Sequence, residues 1–140
     1  DYEEGTWSPQ FTDGVTTKTL SSGLSASNGS YTKIGRMVFC LFYINLSNTT
    51  SLSGPLLVSN LPFTVANVLP DTGVDGAGYL TYFGNLSNPT SCMTLTLNGS
   101  ATTGYLYRTA GSGSTSMPPL NNSDITSTFN MRGYLSYFTT

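Results

Sequence analysis

Residues that could carry out chemistry are few in this chain. Histidine is absent from its 140 residues, which excludes Ser-His-Asp and Cys-His catalysis and removes the commonest transition-metal ligand. A pair of carboxylates could still catalyse glycoside hydrolysis, in which two acids flank the bond that is cleaved. The acids available for such a pair are Glu3, Glu4, Asp13, Asp71, Asp75 and Asp124. A hydrolase would need two acids clustered in a groove, and since seven acids in 140 residues offer little to choose from, we predict no catalytic residues and no enzyme activity.

Two of these acids lie in one loop, Pro70-Asp71-Thr72-Gly73-Val74-Asp75-Gly76. Oxygen ligands in a tight glycine-containing loop faintly resemble a calcium site, but the third acidic position and the closing glutamate are missing. Aspartate and glycine are also ordinary turn-forming residues. A turn is therefore the favoured interpretation, and a cation held by Asp71 and Asp75 stays open.

The two cysteines, Cys40 and Cys92, are too few for a disulfide framework. Cys92 has the opposite strand parity from the apolar Met93, Leu95 and Leu97, so the two thiols do not obviously meet. We expect two buried free thiols, because an unpaired cysteine behaves as a small hydrophobic residue. Without histidine, two cysteines also lack the spacing of a zinc site, and we predict neither metal nor cofactor.

Carbohydrate binding is the one recognition function that the composition favours. Sugars bind on exposed aromatic rings surrounded by amides and hydroxyls, and the chain carries nine tyrosines, seven phenylalanines and one tryptophan. The candidate glycan-contacting residues are Tyr79, Tyr82, Tyr105 and Tyr107, which lie beside loops rich in Asn, Ser and Thr. Strict alternation puts Tyr105 and Tyr107 on one face of a strand but Tyr82 opposite Tyr79. The alternative is that these rings belong to a core or to a subunit interface.

The overall composition predicts one folded β domain spanning residues 1–140. Charged residues make up only 9% of the chain, far below the usual quarter or so. The five basic residues form no stripe, and no apolar run approaches the roughly 20 residues that span a bilayer. We therefore expect neither nucleic-acid binding nor membrane insertion.

Short β-prone runs between glycine- and proline-containing turns predict an all-β fold, an antiparallel β-sandwich of jelly-roll type. Residues 13–30 are rich in Thr, Ser and Gly and are expected to form a loop or a weak hairpin. Gly35-Arg36 predicts a two-residue turn that joins two strands. The predicted strands are 6–11, 31–34, 37–46, 56–59, 63–69, 79–83, 92–97, 105–109 and 125–138, the last with a bulge or bend at Gly133.

The segment Met37-Val38-Phe39-Cys40-Leu41-Phe42-Tyr43-Ile44-Asn45-Leu46 is apolar on both of its alternating faces. The outer face of a strand in a two-sheet sandwich should be polar, so the second apolar face needs a third layer. No helix is predicted that could supply it, which leaves a second copy of the chain. The predicted subunit interface is therefore Met37, Phe39, Leu41 and Tyr43. The alternative is a strand buried beneath the chain's own long loops.

Three segments carry a resemblance to a known family. They are Tyr2-Glu3-Glu4-Gly5-Thr6-Trp7-Ser8-Pro9, Tyr31-Thr32-Lys33-Ile34-Gly35-Arg36-Met37-Val38 and Val58-Ser59-Asn60-Leu61-Pro62-Phe63. Together they resemble the "YEEGTWTP … YxKIGxxV … GLPF" pattern of a C-terminal β-sandwich domain on bacteriophage tail fibres and tailspikes. Ser8 stands where threonine is usual, and Asn60 stands where glycine is usual. The structural residues of the pattern are Trp7, Tyr31, Gly35, Pro62 and Phe63, with Trp7, Tyr31 and also Tyr134 expected in the core.

The resemblance implies a homotrimeric C-terminal domain of a longer virion appendage that acts outside the cell. It implies a structural and adhesive role in host attachment, with a host-surface polysaccharide or lipopolysaccharide as a further partner. Any depolymerase activity would then lie in an upstream region. Two alternatives stay open: a trimerisation module with no external ligand, and a non-catalytic carbohydrate-binding module attached to an enzyme.

Overall fold

A computed structural model describes residues 1–70, 74–111 and 113–140 and shows ten β-strands within them. The strands are β1 Tyr2–Trp7, β2 Gln10–Thr12, β3 Thr17–Lys18, β4 Leu24–Ile34, β5 Met37–Leu46, β6 Leu57–Ser59, β7 Gly76–Leu86, β8 Met93–Leu97, β9 Gly104–Arg108 and β10 Ile125–Phe138. The only helical segment among the described residues is a single 3-10 turn at Asn122–Asp124. The all-β prediction is confirmed.

All ten strands belong to one antiparallel sheet, in the order β1-β4-β5-β10-β7-β8-β9-β6-β2-β3. The sheet curls, because the rings of Phe11 in β2 and Phe129 in β10 pack 6.1 Å apart although five positions separate the two strands in the order. The predicted jelly-roll sandwich of two sheets is therefore replaced by one curled sheet whose concave face encloses the core. A long twisted sheet can enclose its own apolar face in this way.

Alternation along the strands sorts residues into core and surface, as the period of two requires. In β5 every even-numbered side chain is buried, and β8 buries Met93, Leu95 and Leu97. The inward residues of β10 complete the same cluster: Phe129, Met131, Leu135 and Tyr137. The predicted apolar parities of β5 and β8 are therefore correct.

The β4–β5 hairpin forms at Gly35-Arg36, as predicted. Ile34 pairs with Met37, and Gly35 adopts a φ of 58°, a left-handed conformation that glycine reaches without a steric penalty. The amide of Gly35 also donates to the Asp1 carbonyl at 2.7 Å, which joins the hairpin tip to the start of the chain.

Three predictions about which segments form strands or loops are wrong. The expected strand 6–11 is two strands, because β1 ends before Pro9, which has no amide to donate to a sheet. Residues 24–30, predicted as part of a loop or weak hairpin over residues 13–30, form the first half of the long strand β4, where their backbone pairs with β1 and β5. Residues 63–69 form no strand, and Val65 makes one isolated bridge to Thr139.

The three segments of the resemblance meet in the structure. The Trp7 indole lies over Gly29, where an added Cβ would come within 2.3 Å of the Trp7 Nε1 atom. The Tyr31 and Phe63 rings pack edge to face with centroids 5.1 Å apart. Asn60 donates from Nδ2 to the Ser8 carbonyl at 2.8 Å. The segments are therefore parts of one packing unit that fixes β1 and the β4–β5 hairpin.

Asn60 has a φ of 63°, a left-handed conformation that asparagine tolerates better than other non-glycine residues. We expect Asn60→Gly to lower the unfolding free energy by no more than about 1 kcal/mol, since it loses only the bond to Ser8. Asn60→Val should lower it by a further 1–2 kcal/mol or so, because a β-branched side chain is strained there. Urea denaturation of both variants measures the difference. If Asn60→Gly and Asn60→Val have the same unfolding free energy, the left-handed backbone conformation of residue 60 does not affect stability.

The strand β7 begins at a carboxylate clamp made by Asp75. Its Oδ1 accepts the amides of Val68 at 2.7 Å and Leu69 at 2.8 Å, and its Oδ2 accepts the amide of Gly99 at 2.7 Å. The bond from Leu69 is the largest influence on the pKa of Asp75 and, with the other two amides, holds it below the ordinary value against the effect of burial. One ionised side chain therefore joins two loops to β7.

A lowered pKa in the folded state means that the Asp75 carboxylate stabilises the fold above the unfolded-state pKa of about 3.9. This contribution is lost as the pH falls through the folded-state pKa. We expect Asp75→Asn to lower the melting temperature at pH 7 and to flatten its decline between about pH 5 and pH 2.5. Thermal melts across that range provide the measurement. Glu4→Gln, which neutralises an exposed acid, is the control, and identical acid profiles for Asp75→Asn and the wild type would contradict the clamp.

Candidate recognition face

Strand β5 presents one buried and one exposed apolar face. On the convex side of the sheet Phe39 is 38% exposed and Leu41 59% exposed, while Met37 and Tyr43 are half-buried. The described loops therefore do not cover this face, contrary to the alternative of a strand buried by its own chain. The four predicted interface residues do share one face, and their role in assembly stays a prediction.

The convex face is most apolar near the β4–β5 hairpin. The strand register places Tyr2, Ile34, Met37 and Phe138 in one row across β1, β4, β5 and β10. The exposed fractions are 64% for Tyr2, 55% for Ile34 and 40% for Phe138. Phe39 and Leu41 extend this surface along β5. We define the apolar patch as Tyr2, Ile34, Met37, Phe39, Leu41 and Phe138.

A β-bulge places Tyr79 and Tyr82 on the same convex face. Tyr79 pairs with Tyr134 and Tyr82 pairs with Arg132, and the register shifts between these pairs because Thr81 is an extra residue in β7. Each of the two β7 tyrosines is 51% exposed. The prediction that Tyr82 points away from Tyr79 is therefore wrong, because one inserted residue breaks the alternation.

Tyr134 also lies on the convex face, where its ring packs against that of Tyr79 with centroids 5.6 Å apart. The expectation that it packs in the core is wrong, because the buried residues of β10 are its odd-numbered neighbours Gly133 and Leu135. Trp7 does lie in the core, and Tyr31 is partly buried against it.

The remaining two candidate tyrosines lie further along the same face. Tyr107 pairs with Thr94, which pairs with Tyr79, and Tyr105 pairs with Thr96. Both tyrosines are half-buried. All four candidate glycan-contacting tyrosines therefore share the convex face with the predicted interface residues, although the sequence treats the two sets separately.

An arginine that the sequence analysis did not select lies in the middle of this face. The Arg132 guanidinium carbon lies 5.3 Å from the ring centroid of Tyr43 and 5.4 Å from that of Tyr82. Arg132 is exposed and borders an open groove of about 670 Å³. The side chains that line the groove include Thr6, Asn28, Ser30, Leu41, Tyr43, Thr81 and Arg132. The sequence signal for Arg132 is that it shares strand parity with Tyr134, but the core position predicted for Tyr134 would turn Arg132 inward as well.

The carboxylates of the chain mainly hold the backbone and other side chains. Asp13 accepts the amides of Thr16 and Val15 at 2.6 and 2.8 Å, and the bond from Thr16 is the main reason that its pKa is lowered. Glu3 accepts the Tyr31 hydroxyl at 2.6 Å, which joins β1 to β4.

Asp124 accepts the Asn121 amide at 2.9 Å and pairs with Arg108 at 3.2 Å. Burial, the largest influence, opposes its ionisation, but the bonds from Asn121, Asn88 and Arg108 outweigh burial and lower its pKa. Asp71 lies outside the described residues, so its pairing with Asp75 is not described.

The two thiols differ in environment. Cys40 is buried, and burial raises the pKa of its thiol to about 12, so it is not a ready nucleophile. Cys92 is free but exposed, so the expectation that both thiols are buried is wrong for Cys92. Its position before the first residue of β8 leaves it at the rim of the sheet.

Within the described ranges, no group of three or more His, Cys, Asp or Glu side chains is placed to hold a metal ion. No helix in the same part of the chain is long and apolar enough to cross a membrane.

Comparison with known proteins gives a match at the level of fold. No protein-family model and no curated protein matches the chain. Among solved structures, the crystal structure of the Dettilon tailspike protein (gp208) is similar to it, with a TM-score of 0.73 and 18% sequence identity. The similarity covers 98% of this chain and 24% of that protein, so the chain spans about a quarter of the tailspike's length. The curled antiparallel sheet described here is therefore similar to a fold present in a phage tailspike.

Proposed function

We propose that this chain is a structural and adhesive domain of a bacteriophage tail appendage, which assembles as a homotrimer and contacts a glycan on the host surface. The observation that carries the proposal is the exposed apolar face of β5. Contiguous exposed apolar surface marks an interaction site in a soluble protein. The fold shared with the Dettilon tailspike supports a location on the virion tail.

Burial of the apolar patch is the proposed driving force of assembly. Full burial of a leucine side chain contributes about 1.5–3 kcal/mol of favourable free energy. Leu41 is 59% exposed in the single chain, so its burial in the interface would stabilise the assembly by about 1–2 kcal/mol per protomer. Ile34, Phe39 and Phe138 add to this in the same surface. A net charge of only −2 per chain offers little repulsion between copies. The stoichiometry of three protomers comes from the sequence resemblance, which implies a homotrimer.

The proposed glycan contact uses the part of the convex face beyond the apolar patch. Tyr79 and Tyr82 offer half-exposed rings, and Thr81, Thr94 and Thr96 place hydroxyls beside them. Rings flanked by hydroxyls suit the apolar faces and polar edges of sugars. Three such sites on one trimer would gain avidity from weak individual contacts.

A trimerisation module without an external ligand is the second candidate. It is favoured by the direct continuity between the apolar patch and the tyrosines, because Leu41, Tyr134 and Tyr79 are successive partners across β5, β10 and β7. An interface that extended along this row would cover the rings. Polysaccharide binding by the assembled protein separates the two candidates.

Assembly is tested by the native mass of the chain in solution. Light scattering on a sizing column should give three times the 14.9 kDa protomer mass for the wild type. Leu41→Glu should give the protomer mass, since a buried unpaired carboxylate costs several kcal/mol. Leu20→Glu is the matched control, because Leu20 is equally exposed, at 60%, but lies in the β3–β4 loop. A monomeric wild type, or a trimeric Leu41→Glu variant, would contradict the proposed interface.

Glycan contact is tested by binding to a panel of immobilised bacterial surface polysaccharides. We expect Tyr82→Ala to weaken the binding about fivefold, which corresponds to the loss of about 1 kcal/mol of ring contact. Tyr82→Phe keeps the ring and should bind like the wild type. Binding to none of the panel would favour the trimerisation module, and wild-type affinity in Tyr82→Ala would remove Tyr82 from the site.

A further inference from the structure

Arg132 differs in its surroundings from Lys33, Arg36 and Arg108. Lys33 pairs with Asp1 at 2.6 Å, Arg108 pairs with Asp124, and Arg36 donates from Nε to the Thr139 carbonyl at 3.0 Å. Among the described residues, Arg132 has neither a carboxylate partner nor a hydrogen bond from its guanidinium. The N–H donors of the Arg132 guanidinium are therefore available to bind an anion from outside the chain.

The rings of Tyr43 and Tyr82 hold this guanidinium in place. Both rings lie within the distance of a cation–π contact, and they come from strands on either side of β10. Contact with the ring faces leaves the N–H groups at the edge of the guanidinium free. A planar fork held in this way can donate two parallel hydrogen bonds to a carboxylate or phosphate group.

The groove beside Arg132 has the lining of a sugar site. Thr6, Asn28, Ser30 and Thr81 are exposed and supply hydroxyl and amide groups, while Leu41 and Tyr43 supply apolar surface. Its volume of about 670 Å³ is in the range of roughly 300–1,000 Å³ usual for ligand sites. The described residues that line it include one cation and no carboxylate, so the groove favours an anionic ligand.

The bulge in β7 supports this arrangement directly. The hydroxyl of Thr81 donates to the Arg132 carbonyl at 3.3 Å, and the residue after it pairs with Arg132. Thr81 therefore holds the Arg132 backbone and borders the groove at the same time.

We propose that this groove binds an acidic sugar unit, with the carboxylate or phosphate of the glycan held by Arg132 and the sugar ring held against Tyr43, while Tyr82 lies beside the groove on the other side of the guanidinium. The inference rests on the proposed glycan contact and specifies the ligand class of that contact. Tyr43 then belongs to the groove, whereas Met37 and Phe39, nearer the hairpin, remain for the subunit interface. Leu41 lies at the boundary between the two surfaces.

The first test uses small sugars and the Nε–H signal of Arg132 in NMR spectra of the 140-residue chain. Sodium glucuronate and glucose 1-phosphate are titrated separately, with glucose as the neutral comparison and sodium chloride to match ionic strength. We expect saturable shifts of the Arg132 signal with an acidic sugar and none with glucose, while the Arg36 Nε–H signal stays in place. The acid that gives the tighter binding identifies the anion as carboxylate or phosphate. Equal responses to glucose, or no response to either acid, would overturn the proposal.

The second test uses polysaccharides that the wild type binds in the panel. Chemical reduction of their carboxyl groups, or enzymatic removal of their phosphates, should weaken binding about tenfold, as expected for a charge-assisted hydrogen bond worth about 1.5 kcal/mol or more. Arg132→Gln should weaken binding of the untreated polymer to the same extent, and Arg132→Lys should restore part of it. Arg36→Gln removes an equal charge outside the groove and should have no effect.

The outcomes separate this inference from the function on which it rests. If polysaccharides bind but tolerate both the loss of their anionic groups and Arg132→Gln, the glycan contact stands and the acidic-sugar inference fails. If no polysaccharide binds, the glycan contact itself fails. An Arg132 signal that shifts on dilution of the protein, but not with acidic sugars, would assign Arg132 to the subunit interface.

Discussion

The constraint on which the rest of this domain depends is that strand β5 is apolar on both faces. Its inward side chains, from Val38 to Leu46, form the middle of the core. Its outward side chains give the convex surface an apolar character that β4 and β10 extend with Ile34 and Phe138. One segment therefore sets both the fold and the surface through which the domain would meet another copy. A substitution in β5 affects one or the other according to its parity.

A curled sheet brings distant strands together, and here glycines make room for the aromatic side chains that fill it. Trp7 lies over Gly29, and the Phe42 ring occupies the space above Gly133, where an added Cβ would come within 2.5 Å of it. Large rings over glycines fill the concave face without forcing the strands apart. These contacts join β1, β4, β5 and β10, and through Trp7 the end of β1 belongs to the core although the rest of that strand is largely exposed. The convergence of the three motif segments on this region explains why such a pattern can mark a fold without marking a function.

Prediction from the sequence succeeds where alternation alone decides the structure. The β4–β5 hairpin, strand 125–138 and the buried parities of β5 and β8 follow from the period of two and from Gly35. Residues 24–30 were missed because Ser, Ala, Asn and Gly carry little strand preference, and their pairing is imposed by β1 and β5. The curled single sheet was not predicted because nothing local distinguishes a strand of a curled sheet from one of a sandwich. The candidate site was predicted in part: its tyrosines were chosen, but Arg132 and the common face were not.

The position of Tyr82 on that common face depends on a single irregularity. If Thr81 were paired in regular alternation and not bulged, Tyr82 would turn toward the core and Arg132 would have only Tyr43 beside it. The bulge at Thr81 places Tyr82 on the convex side while Leu80 stays buried, so the core is kept and Arg132 gains a second ring beside it. Bulges re-aim side chains at a modest cost to the ladder, which is why they recur at functional sites. The pair of rings that flanks the Arg132 guanidinium is thus a consequence of one residue that breaks the alternation on which the rest of the sheet is built.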